Sequence, residues 1–126
     1  MSEPKRILLV EVEQSVLDSF HLLFADIGFV VRKLPDSRLV LAMVREFKPH
    51  IIFMDQDTPG GRNKLALQML KGHALVKHIP VIYLTAHADA GHLARQAGAD
   101  AHLMKPVEAR AVMEMTHRFI GPAGGT

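Results

Sequence analysis

The chain has 126 residues, enough for one domain and too few for a second. Apolar residues make up 48% of it, so a single hydrophobic core forms without staples, and the lack of cysteine excludes a disulfide framework, thiol catalysis and thiolate metal sites. The 15 basic and 13 acidic residues leave a net charge of +2 with no basic run longer than two, too slight and too dispersed to mark a nucleic-acid surface. No apolar run approaches the roughly 20 residues of a membrane span. The Met1–Arg6 start lacks the long apolar stretch and small-residue cleavage site of a signal peptide. The expectation is a cytoplasmic protein with no membrane or direct nucleic-acid contact.

Short apolar runs alternate with longer amphipathic stretches. Ile7–Val10 reads as a strand buried on both faces. Gln14–Ile27 follows as a helix, with Val16, Phe20, Leu23, Phe24 and Ile27 at helical spacing and Gly28 at the left-handed position after its end. Phe29–Lys33 is the second strand. Asp36 or Ser37 can cap a helix from about Arg38 to Phe47, which Pro49 stops. Ile51–Met54 is the third buried run and ends in Asp55; a loop with Pro59-Gly60-Gly61 leads to a helix over Lys64–Lys71, closed by Gly72. Val81–Leu84 is the fourth strand, ending in Thr85, and Ala90–Ala97 is a short helix stopped by Gly98. Ala101–Met104 is the fifth strand, ending in Lys105-Pro106, and Val107–Phe119 is the last helix. Residues 1–120 form the domain and 121–126, rich in glycine, a flexible tail or truncated linker.

Five strands alternating with five helices predict an α/β fold: a single doubly wound (βα)5 domain with helices on both faces of a parallel sheet. Open sheets of this kind place their sites outside the carboxyl ends of the strands. Glu11, Asp55, Thr85 and Lys105 each stand just after a strand, so the four should converge on one edge. Together they suit the formation and hydrolysis of an acyl phosphate. Asp55 is a carboxylate nucleophile toward phosphorus, Thr85 offers a hydroxyl and Lys105 a cation to phosphoryl oxygens, and nearby acids can hold Mg²⁺.

Four stretches carry a family resemblance: Ile7-Leu8-Leu9-Val10-Glu11, Met54-Asp55-Gln56-Asp57-Thr58-Pro59-Gly60, Ile79-Pro80-Val81-Ile82-Tyr83-Leu84-Thr85-Ala86, and Gly98-Ala99-Asp100-Ala101-His102-Leu103-Met104-Lys105-Pro106. In this order and spacing the chain resembles the CheY-like receiver domain of two-component response regulators from about Lys5 to Phe119. The resemblance implies the sheet order 2-1-3-4-5. It implies that Asp55 accepts a phosphoryl group from a histidine kinase or histidine phosphotransfer protein, that Thr85 is the switch hydroxyl and that Lys105 contacts the phosphate. It implies Mg²⁺ held by Glu11, Asp55 and the backbone carbonyl of Asp57. A signal would leave to a downstream protein through the face of the fourth helix, fifth strand and fifth helix, where homodimers form in this family. The activity implied is signalling with slow self-catalysed phosphoryl transfer and dephosphorylation, not that of a dedicated enzyme. The Lys105–Pro106 bond is expected to be cis.

The sequence departs from the family pattern at three places. The usual second acidic residue after the first strand is Val12, which cannot coordinate an ion, and Glu13 is the alternative carboxylate one residue on. Glu11 and Glu13 are equally readable as a solvated pair at a helix N-terminus. His102 stands at the switch aromatic position, or is a half-exposed strand residue. Asn63 falls where a glycine is usual and could supply a left-handed conformation. Val12 also supports a second reading, a degenerate receiver that binds partners without phosphorylation. A flavodoxin-like cofactor binder is a third, but Glu11-Val12-Glu13-Gln14-Ser15 stands where a glycine-rich phosphate loop belongs. The eight histidines, with His73/His78 and His87/His92 five apart, read as scattered surface residues, and methionines such as Met54, Met69 and Met113 as packing.

Overall fold

The computed structural model describes residues 3–25, 28–56, 58, 62–86 and 98–122. The apolar runs become five strands: β1 (Arg6–Val10), β2 (Val30–Leu34), β3 (Ile51–Asp55), β4 (Val81–Thr85) and β5 (Ala101–Met104). All pair in parallel, in the order β2-β1-β3-β4-β5. The three central strands are the continuous apolar runs and are buried almost throughout, whereas β2 and β5 stand at the edges and are partly exposed.

Among the described residues there are four α-helices: α1 (Gln14–Ala25), α2 (Val40–Phe47), α3 (Arg62–Gly72) and α4 (Ala109–Ile120). The predicted helix Ala90–Ala97 and most of the predicted tail lie outside the described residues. Strand alternation sorts the core into two layers. Leu8, Val10, Ile52 and Met54 face α2 and α3, which contribute Val40, Val44, Ala66, Leu67 and Leu70. Ile7, Leu9, Ile51 and Phe53 face α1 and α4, which contribute Leu17, Phe20, Phe24 and Val112. Phe20 packs edge-on against Phe53, with ring centroids 5.2 Å apart.

Several boundaries differ from expectation. The Asp36 carboxylate does accept the Arg38 N–H, at 2.9 Å, but it caps a 3-10 turn over Ser37–Leu39, and α2 begins only at Val40. α2 ends at Phe47; Lys48 caps it in the left-handed conformation (φ 53°), its N–H donating to the Val44 carbonyl at 2.9 Å, and Pro49 cannot continue the helix. α3 starts two residues early, at Arg62. Asn63 therefore lies in its first turn, fully buried, and does not take the left-handed conformation anticipated for it. Met69 is 51% exposed, because Ala66, Leu67 and Leu70 occupy the inner face of α3; Met54 is buried and Met113 packs against the α1–α4 layer. Gly28 has φ 88°, as its place after α1 requires, and Lys105–Pro106 is cis.

Candidate functional site

The carboxyl ends of the strands bring together most of the residues singled out from the sequence. Asp55 closes β3 and is 4% exposed. Lys105 follows β5, and its ammonium lies 3.0 and 2.9 Å from the two carboxylate oxygens of Asp55. Charge-assisted contacts to both oxygens fix the carboxylate and offset the cost of burying it. Thr85 closes β4, is fully buried, and its carbonyl accepts the Lys105 N–H at 2.8 Å. The threonine and the lysine are thus tied through the backbone, and they reach the site from neighbouring strands because Thr85 pairs with Met104.

The acidic residues after β1 behave differently. Glu11 adopts φ 51°, and its carboxylate is turned to the start of the 3-10 turn, where Oε2 accepts the Ser37 N–H at 3.1 Å. Its Oε1 lies 2.5 Å from the Arg62 guanidinium. Val12 packs against the apolar layer under α1. Glu13 caps α1 through its backbone, its carbonyl accepting the N–H groups of Val16 and Leu17, while its exposed carboxylate lies 3.7 Å from the Lys105 ammonium. The site therefore gathers Asp55, Lys105 and Glu13, with Thr85 on the adjoining strand end, and Glu11 faces away to Arg62. A cleft of about 510 Å³ opens beside Lys105, lined by Glu13, Ser15, Val16, Ser19, Pro106 and Val107.

Magnesium requires several oxygen ligands around one point. Among the described residues no three His, Asp or Glu side chains converge in that way. Glu11 is committed elsewhere, Val12 carries no donor, and the Asp57 carbonyl lies outside the described residues. The donor set that is described does not fit the ion.

Two further residues were not singled out as site residues from the sequence. Asn63 donates from Nδ2 to the Asp55 carbonyl at 2.5 Å, and its N–H donates to Thr58 Oγ1 at 3.2 Å. This ties the start of α3 to the backbone of the carboxylate it follows. Arg62 precedes it and supplies the partner of Glu11. A threonine a few residues before a helix was the available signal for the cap; nothing local signalled the Arg62–Glu11 pair, which spans 51 residues. His102 stands half-buried in β5 beside Tyr83, whose hydroxyl burial pushes up to about 12.

A doubly wound parallel sheet that holds a lysine-clamped carboxylate at its carboxyl edge defines a class of signalling α/β domains. The chain belongs to the response regulator receiver domain family, whose model matches residues 7–117. The polar-differentiation response regulator DivK of Brucella anthropi is 29% identical over 122 residues, 95% of this chain and 99% of that protein. In fold, the chain is similar to the chemotaxis protein CheY4 of Vibrio cholerae (TM-score 0.81, 19% identity, 93% of this chain and 99% of that one). It is equally similar to the receiver domain of the sensor histidine kinase PA1611 of Pseudomonas aeruginosa (TM-score 0.81, 24% identity, 94% and 98%), which was solved with a magnesium ion in its active-site cleft. Among the described residues no helix is long and apolar enough to cross a membrane.

Proposed function

We propose that this receiver domain accepts a phosphoryl group on Asp55 from a phosphohistidine of a histidine kinase or phosphotransfer protein. A carboxylate oxygen of Asp55 attacks phosphorus, an O–P bond forms, the N–P bond breaks, and the imidazole leaves with the electron pair and takes up a proton. The observation that carries this reading is the buried Asp55 carboxylate clamped through both oxygens by Lys105. In the aspartyl phosphate the same ammonium serves a phosphoryl oxygen, and the Thr85 hydroxyl, one strand away, serves another. The cleft beside Lys105 gives the donor histidine an approach along α1. Output passes to a downstream protein through β5 and α4, with His102 at the switch position, and donor, receiver and target share the cytoplasm. In PA1611 a magnesium ion occupies the active-site cleft; because the described residues here do not assemble its ligands, no step is assigned to it.

The test is intact-protein mass after incubation with a small phosphodonor, with wild type beside Asp55→Asn. A gain of one phosphoryl group in wild type and none in Asp55→Asn is the expected result. No gain from a small donor or from histidine-kinase donors would remove the phosphoacceptor reading. The commitment of Glu11 to Arg62 favours, as the second reading, a receiver that binds partners without being phosphorylated.

A further inference from the structure

Glu11 is held in place from several sides. A left-handed φ of 51° is unfavourable for a residue with a Cβ and persists only where its surroundings enforce it. The Glu11 side chain is 7% exposed, and both oxygens are engaged, one by Arg62 at 2.5 Å and the other by the Ser37 N–H at 3.1 Å. Val10 pairs with Met54 in the ladder, so Glu11 stands next to Asp55 across the β1–β3 edge. The backbone that carries Arg62 is fixed at the start of α3, since the following residue, Asn63, donates to the Asp55 carbonyl.

The cation at this carboxylate is therefore a guanidinium, which stays charged at every relevant pH and suits a carboxylate better than an ammonium does. Its field extends to Asp36, whose carboxyl is brought down to about 2 by hydrogen bonds from Arg38, with Arg62 adding to the effect. A divalent ion approaching this corner would have to displace Arg62 from a buried partner and share the space with its charge.

We infer that Arg62 is a resident cation at Glu11: held on this buried carboxylate, it withholds Glu11 from a divalent ion. This rests on the reading of Asp55 as the reactive carboxylate. It has a consequence that the Val12 substitution alone does not. Restoring an acid at position 12 leaves Glu11 still bound to Arg62, so a metal site requires two changes.

The test is calorimetric titration of Mg²⁺ and Mn²⁺ into the full chain as wild type, Val12→Asp, Arg62→Gln and the Val12→Asp/Arg62→Gln double variant, with circular dichroism confirming that each is folded. The double variant is expected to bind at least about tenfold more tightly than wild type or either single variant. Equal affinity of Val12→Asp and the double variant would overturn the inference. So would wild type binding Mg²⁺ as tightly as the double variant, or no binding by the double variant. In the intact-mass assay, the wild-type rate is expected to differ by less than about threefold between chelator and excess Mg²⁺; a strict requirement for Mg²⁺ would also overturn it. Should Asp55 not be a phosphoacceptor, every variant shows no mass gain, and the titrations still decide the role of Arg62.

Discussion

His50 shows how one side chain couples protonation to stability at the pole opposite Asp55. Its Nδ1 accepts the Arg6 N–H at 2.9 Å, which requires that nitrogen to be unprotonated. Desolvation, and then the nearby Arg6 and Lys5 charges, lower its pKa from the ordinary 6.5. Below that value the unfolded chain binds a proton that the folded chain resists, so this contribution to stability is present above the ordinary histidine pKa and fades as pH falls toward the folded one. The melting temperature of wild type should therefore drop between about pH 7.5 and about pH 5.5, and His50→Asn should show a shallower drop. A thermal melt series of the two proteins across that range checks it; parallel slopes would remove His50 as the cause. Asp36 shows the reverse case of a charged state held by a partner, but it is too exposed for that to weigh on stability.

At the scale of elements, the ends of helices and strands carry both the strain and the chemistry. Lys48 sits at φ 53° as the left-handed cap of α2, and its carbonyl accepts the Arg6 Nε–H at 2.8 Å. Glycine takes this conformation without the Cβ penalty, which outweighs its greater freedom in the unfolded chain. Lys48→Gly should raise stability by roughly 0.5–1 kcal/mol, read as a higher urea midpoint with an unchanged slope. The other non-glycine residue with positive φ among the described residues is Glu11, just after β1, where no helix ends and the side chain is turned to Ser37 and Arg62. Two similar backbone angles thus stand in different settings, one at a helix end and the other after a strand, beside a contact to a distant helix.

The molecule as a whole is two apolar layers sharing one sheet, and the site hangs from the strand ends of that sheet. Phe20 reaches from α1 to Phe53, two residues before Asp55, and Phe24 packs beside it with ring centroids 5.6 Å away. Truncating Phe20 to alanine should cost about 3–5 kcal/mol. Set against a total of about 5–15 kcal/mol for a domain, that loss removes much of the folding stability. Phe20→Ala should unfold at a much lower denaturant concentration, in a single transition by circular dichroism. Separate transitions for the two layers would contradict the shared-sheet account.

The strands, their parallel pairing and the edge on which Asp55, Thr85 and Lys105 meet were legible in the sequence, because a strand buried on both faces must be a short apolar run and the chain direction fixes which ends line up. Residue type and a position just past a strand identified these three residues without any knowledge of contacts. The fate of Glu11 was not legible: as a residue type it is a good magnesium ligand, but its two oxygens are taken by the Ser37 N–H and by Arg62, 26 and 51 positions away. Asn63 is similar, since its local context suggested a turn, whereas burial and a bond to the Asp55 carbonyl drew it into α3. The exposure of Met69 likewise depended on which residues of α3 faced the sheet. The sequence by itself determined the fold and the edge on which Asp55, Thr85 and Lys105 stand, through patterns that repeat over a few residues. Tertiary structure alone decided which charged groups share that edge, because ion pairs between distant segments depend on a geometry that local patterns do not carry.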